Sequence, residues 1–226
     1  MKGILFKPAM IEAIRKGRKT VTRRLHNLGE INKEPDKWFY LEGSSLVESE
    51  RFTFFNEGDY SKSSSTIVIK SHFKVGEIVY IKEAHSFVDY QLSGEWQGYV
   101  KVEYPLDGIT QWLKKPPNYN LIVLSKRSPM FMPAWVARYF IKILGSRPER
   151  LQEISQNDII SEGCPEFPHL FNIDTLNEAR FTWYRVLCDA INPKQKWNTN
   201  PFVWVYSFIK VDKLVKIEEV KNNGIV

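Results

Sequence analysis

From Phe202 to Ile209 the chain alternates without a break, which sets Phe202, Trp204, Tyr206 and Phe208 on one face of an extended run. Large apolar side chains in such register need a partner surface along their whole length, so this segment reads as a central strand. Any fold for this chain has to be built around it.

Two other runs can supply neighbours. Val75-Gly76-Glu77 makes a turn ahead of Ile78 to Glu83, which alternates as a strand of the central sheet, and Tyr139 to Leu144 is largely apolar on both sides, as a buried strand is. Lys19 to Leu25 is Thr-rich, β-branched and extended, and Gln97 to Val102 is a further strand candidate. Helices are few. Pro8 to Lys16 reads as a short helix opened by proline, carrying Met10, Ala13 and Ile14 at helical spacing and ended by Gly17. Ser155 followed by Asp158 is a capping-box variant for a helix that runs to Glu162 and is closed by Gly163. Thr175 to Ile191 is the clearest amphipathic helix, with Leu176, Ala179, Trp183, Val186, Leu187 and Ala190 as its stripe.

The remaining spans are less periodic. Asn27 to Ser65 is polar and punctuated by Gly and Ser, as an insertion is, although Trp38 to Leu41 and Arg51 to Phe55 have the aromatic content of a hairpin and Thr66 to Lys70 that of another strand. Asp107 to Ser128 reads as a long loop around a strand at Leu121 to Leu124, and the tail after Lys213 is charged and expected to fray.

Composition narrows the partners. Hydrophobic residues at 43% and aromatics at 14% of 226 residues supply a core and exclude a disordered chain. No stretch approaches the roughly 20 apolar residues needed to cross a bilayer, and Met1 to Lys7 lacks the apolar run of a secretory signal, so a cytoplasmic location is expected. Cys164 and Cys188 form no CxxC pair, and His26, His72, His85 and His169 are scattered, so neither a metal nor a cofactor is expected. The net charge of +6 is compatible with a polyanionic partner without requiring one.

The distribution of charge says more than its sum. Arg15, Lys16, Arg18, Lys19, Arg23 and Arg24 place six cations within ten residues, with no acid among them. Such a run is ordinarily a solvated surface. Here the cations surround a glycine turn with Thr20 and Thr22 between them, an arrangement that offers hydroxyls and N–H donors to phosphate or carbonyl oxygens.

Gly17-Arg18-Lys19-Thr20-Val21-Thr22-Arg23-Arg24 resembles the GRKT-x-T-x-R signature that opens ASCH domains of the PUA-like superfamily. The segment Val75 to Glu83, the blocks Met132 to Trp135, Arg150 to Ser155 and Ser161 to Gly163, and the closing Trp197 to Val205 resemble larger, phage-type members of that family in the same order. The resemblance implies an α+β fold, a PUA-like, small, mostly antiparallel β-barrel with short flanking helices. It also implies one domain over residues 1–213, with insertions at about 27–70 and 88–128 and a tail at 214–226.

One branch of the family removes the acetyl group from N4-acetylcytidine, and its catalytic Lys, Thr and Glu fall by motif position on Lys19, Thr22 and Glu162. Thr22 would then attack the acyl carbonyl, Lys19 would take its proton, and Glu162 would protonate the departing nitrogen. On an ideal strand Lys19 and Thr22 point to opposite faces, so a shared site needs a bend near Gly17. Arg18, Thr20, Arg23, Arg24, Lys82, Glu83 and Arg138 are the candidate substrate-binding residues, Arg24 also as an oxyanion donor. The expected partner is RNA, a nucleoside or a modified base. Two other functions fit the same residues: an RNA or modified-base binding module without catalysis, and a phage-encoded protein that acts on a host factor through the insertions.

Overall fold

The alternating carboxyl-terminal run is a strand, Phe202–Val211, and its residues from Phe202 to Tyr206 are buried on both faces at once. The computed structural model describes residues 1–40, 51–56, 66–119, 123–169 and 172–212. In chain order the strands are β1 (Gly3–Leu5), β2 (Val21–Arg24), β3 (Trp38–Tyr40), β4 (Arg51–Asn56), β5 (Thr66–Lys70) and β6 (Ile78–Lys82). They continue as β7 (His85–Tyr90), β8 (Tyr99–Tyr104), β9 (Ile109–Lys114), β10 (Lys126–Arg127), β11 (Phe140–Arg150) and β12 (Phe202–Val211). The α-helices are α1 (Pro8–Arg15), α2 (Gln156–Ser161) and α3 (Ile173–Ile191), so the chain is mixed α+β and strand-rich. It divides into two compact units, one of residues 1–12, 78–141 and 210 onward, the other of residues 13–77 and 142–209.

In the first unit β10, β7, β8 and β9 form an antiparallel sheet in that order, and β1 runs parallel to β6 with Gly3 opposite Tyr80. Strand β8 turns Val100, Val102 and Tyr104 inward, where they join Phe87, Met132, Val136 and Phe140 in the core. It spans Tyr99–Tyr104, two residues beyond the sequence expectation of Gln97 to Val102. Strand β9 replaces part of the long loop expected over Asp107 to Ser128. Its residues are exposed or half-buried and show no alternation, and its structure comes from six paired positions along β8. The strand expected at Leu121 to Leu124 lies largely outside the described residues, as does the tail after Lys213.

In the second unit β2 and β12 are antiparallel, with Thr22 opposite Tyr206 and Arg24 opposite Trp204. Opposed residues share a face. One face of the pair therefore carries Thr22, Arg24, Trp204 and Tyr206, and the other carries Val21, Arg23, Val203 and Val205. Phe52 of β4 packs on Trp204 with ring centroids 4.9 Å apart, and Phe54 meets Phe202 at 5.2 Å. The Asn32 side chain accepts from the Phe202 N–H (2.7 Å) and donates to the Phe202 carbonyl (2.9 Å), fixing the start of β12. The described parts of Asn27 to Ser65 thus place Leu28, Ile31, Phe52 and Phe54 in the core. Their polar average hides a few apolar residues that all turn inward. Within this stretch β3 and β4 form the expected hairpin pairing, and β5 adds to β4.

The opposite face of β2 and β12 is covered by a cluster that includes Leu151, Ile154, Ile159, Tyr184 and Cys188. On α3 the buried residues are Tyr184 and Cys188, while Val186 and Ala190 are exposed. The inward stripe is rotated from the sequence expectation because Tyr and Cys, four apart and on one face, pack as apolar bodies despite their polar tips. Strand β11 runs on to Arg150, past the expected end at Leu144, through polar residues that carry no hydrophobic signal.

Candidate functional site around Lys19 and Glu162

Gly17, at φ +74°, turns the chain after α1, and the N–H groups of Arg18 and Lys19 both donate to the Ala13 carbonyl (2.9 and 3.2 Å). The next N–H, of Thr20, donates to the Ser161 carbonyl at the end of α2 (2.8 Å), so Lys19 and Glu162 face each other as an isolated antiparallel bridge. Helix α2 begins as the sequence indicates, with the Ser155 hydroxyl accepting from the Asp158 N–H (3.1 Å), and Glu162 caps its other end. Gly163 follows at φ +91°, and a Cβ there would come within 3.0 Å of the Ala13 Cβ and 3.1 Å of the Lys19 Cβ. Glycine is what lets the helix end approach the Lys19 stem this closely.

Lys19 is consequently 1% exposed and Glu162 4%. The Lys19 amine donates to the carbonyls of Val21 (2.8 Å) and Glu162 (2.9 Å) and to Glu162 Oε2. The other carboxylate oxygen, Oε1, accepts from Arg23 Nη1 at 3.3 Å. Arg23 is held in turn by Glu149 (Nη2 to Oε1, 2.7 Å) and Asp158 (Nη2 to Oδ2, 2.6 Å), and Arg147 reaches the same two acids.

Burial drives the Lys19 pKa below that of an ordinary lysine. Glu162 opposes the shift, and Arg24 and Arg23 add to it. Three acceptors around Nζ match the three hydrogens of an ammonium. Arg24 is pulled down to about 10 by burial, against the fields of Glu162 and Tyr206, so Glu162 acts electrostatically on residues of both faces of β2.

Thr22 is 3% exposed and shares the Arg24 and Tyr206 face of β2, the neighbouring register to Arg23. The structure thus brings Lys19, Arg23 and Glu162 into contact and sets Thr22 beside them on the other face of the strand. Arg18 and Thr20 are exposed. The basic run is split, with Lys19, Arg23 and Arg24 turned inward and Lys16 and Arg18 outward.

Lys82, Glu83 and Arg138 belong to the first unit. Arg138 forks onto both oxygens of Glu83 (Nε to Oε1, 2.9 Å; Nη2 to Oε2, 2.6 Å), grips Asp107 with Nη1 (3.0 Å) and lies over the Tyr104 ring at 3.9 Å. Lys82 donates to the Met130 carbonyl (3.0 Å). In the second unit Arg150 reaches the Pro35 carbonyl and the Asp36 carboxylate, both at 2.5 Å. Glu149 and Asp107 escaped sequence reasoning. Glu149 lies 126 residues from Arg23 and Asp107 lies 31 from Arg138, with no local pattern to connect either pair.

Among the described residues no group of three or more His, Cys, Asp and Glu is placed to hold a metal ion, and no helix is long and apolar enough to cross a membrane. No protein-family model, curated protein or solved structure matches the chain.

Proposed function

We propose that the chain is an amidohydrolase of PUA-like, ASCH type, acting on an N-acylated cytidine or a related modified base. The observation that carries this reading is the buried Lys19–Glu162 pair, an amine hydrogen-bonded to a carboxyl in a site where burial pushes the amine toward its neutral form, opposed by Glu162 and aided by Arg24 and Arg23. Amide cleavage needs a base for the nucleophile's proton and an acid for the departing nitrogen. A proton passed from Lys19 to Glu162 during the reaction supplies both. The Thr22 hydroxyl, buried on the face of β2 opposite Arg23, is the nucleophile of this scheme: it attacks the acyl carbonyl, its proton goes to Lys19, and Glu162 gives its proton to the leaving amine. Lys19 passes that proton to Glu162, takes one from the water that hydrolyses the acyl-threonine, and returns it to the departing Thr22 oxygen. Arg24 stands by to balance the oxyanion.

A non-catalytic RNA or modified-base binding module draws on the same run, and the inward turn of Lys19, Arg23 and Arg24 weighs against it, since Lys19 and Arg23 already face carboxylates and Arg24 is half-buried. Hydrolysis of N4-acetylcytidine by the purified chain separates the two. The enzyme reading expects turnover that Thr22→Val abolishes and Thr22→Ser partly retains, with both variants folded. Absence of turnover in the folded parent at high protein concentration rejects it and favours binding.

A further inference from the structure

Strand β9 lies at the edge of its sheet. Among the described residues it pairs with β8, and no strand pairs with its other side. Such edges are ordinarily closed to further pairing by a charge, a proline or a bulge. From Ile109 to Leu113 β9 has no charged residue and no proline, and its register against β8 is unbroken. The backbone groups on its outer side follow from the ladder. The Lys115 N–H donates to the carbonyl of Gly98, the residue directly opposite (2.9 Å), and hydrogen-bonded and open pairs alternate along an antiparallel pair of strands. Gln111 and Leu113 therefore turn their N–H and carbonyl groups to β8, and Thr110, Trp112 and Lys114 turn theirs away from it.

The side chains select the partner. Val100, Val102 and Tyr104 of β8 face the core, so the outer face of the sheet carries Tyr99, Lys101 and Glu103, with Lys114, Trp112 and Thr110 opposite them. Trp96, 54% exposed, adds its ring to this face, 5.0 Å from Tyr99 and 6.4 Å from Trp112. Among the described residues neither Glu103 nor Lys114 has an ion-pair partner. A second copy of β9, laid antiparallel along this edge with Trp112 on the two-fold axis, sets its Lys114 opposite Thr110. Glu103, Thr110 and that lysine then lie in one row across three strands. Two strand spacings make about 10 Å, which a Glu and a Lys side chain span together over the short threonine. Symmetry forms this ion pair twice, and no like charges come opposite each other. Any other register that keeps the hydrogen-bonding phase takes Lys114 out of the Glu103 row. We propose that the chain forms a symmetric dimer by pairing β9 with β9 of a second copy, joining Glu103 of each copy to Lys114 of the other. One short edge pairing is small beside the roughly 1,200–2,000 Å2 of stable interfaces, so the dimer is weak and concentration-dependent. The proposal is independent of catalysis at Lys19.

The test is sedimentation equilibrium of the full-length chain between about 1 and 500 μM, where a monomer–dimer equilibrium is expected. Glu103→Lys and Lys114→Glu each weaken the dimer by about fivefold or more, and the double exchange restores the parent's dissociation constant to within about twofold. Thr110→Pro removes an N–H that β8 does not use, and it weakens the dimer by at least as much while circular dichroism shows a folded chain. A chain that stays monomeric throughout overturns the proposal. So does a dimer that the two single charge reversals leave unchanged, or one that the double exchange fails to restore. A dimer unaffected by a folded Thr110→Pro variant overturns it as well.

Discussion

Lys19 and Glu162, 143 positions apart, meet as an amine and a carboxylate in a site where neither residue is more than 4% exposed. Two charges so placed have surrendered most of their hydration, and each depends on the other. Removing one partner strands the other, whereas removing both does not. Lys19→Met or Glu162→Leu alone is expected to destabilise the chain by about 3–5 kcal/mol, and the double variant by clearly less than the sum of the two. Urea unfolding of the four proteins checks this; strict additivity would show that the pair is not coupled.

Gly163→Ala tests the close approach behind that pair. A side chain at φ +91° is strained, and the new methyl group would press on the Ala13 and Lys19 Cβ atoms at about 3 Å. A loss of about 1–3 kcal/mol in chemical denaturation is expected. Gly17→Ala, also at positive φ but with open space around its Cβ, should lose less.

His85 makes the stability of the first unit sensitive to acid. It is 0% exposed, its Nδ1 lies 3.3 Å from the Glu83 carbonyl and its Nε2 meets no hydrogen-bond partner among the described residues. Burial lowers its pKa below the ordinary 6.5, the Glu83 carbonyl opposes that, and the field of Arg127 adds to it. The unfolded chain therefore takes up a proton on His85 at a higher pH than the folded chain. The stability contribution is complete above about pH 6.5 and declines as the pH falls below that value. Thermal melts between about pH 7.5 and 5 should show this decline, and a folded His85→Phe variant should show less of it.

The two thiols are expected to be sluggish. Burial pushes Cys164 up to about 11 and Cys188 up to about 12, and at neutral pH neither is a thiolate. An aromatic disulfide reagent should label the native chain far more slowly than the urea-unfolded chain, with two equivalents released only on unfolding. Rapid native labelling would contradict the packing of α3 on β12.

Asn32 is the polar clamp on the first residue of β12. Asn32→Ala leaves the buried N–H and carbonyl of Phe202 without their side-chain partner, and a loss of about 1–3 kcal/mol is expected, measured by chemical denaturation.

What could be read in advance was whatever depends on near neighbours. The strand at Phe202, the helix opened by Ser155 and the glycine closures at Gly17 and Gly163 each rest on a pattern a few residues long, and each is present in the structure. The Lys19–Glu162 contact was legible through a resemblance of motifs, since no local pattern joins residues so far apart. Strand β9 left no trace because its pairing with β8, and not its own alternation, holds it. The α3 stripe was misplaced because Tyr184 and Cys188 are apolar in bulk and polar in name. The acids that bind Arg23 and Arg138 were invisible for the same reason as any long-range pair: their positions are set by the chain path, which sequence spacing does not carry.

The inward turn of half the basic run bears on how this protein responds to ionic strength. Of its six cations, Lys19 and Arg23 already face carboxylates and Arg24 is half-buried, and at most three remain exposed to displace counterions from a polyanion. Any affinity for nucleic acid that acts through this run should fall with a log–log salt slope no steeper than about −2 to −3, far from that of a protein whose whole charge cluster grips phosphate.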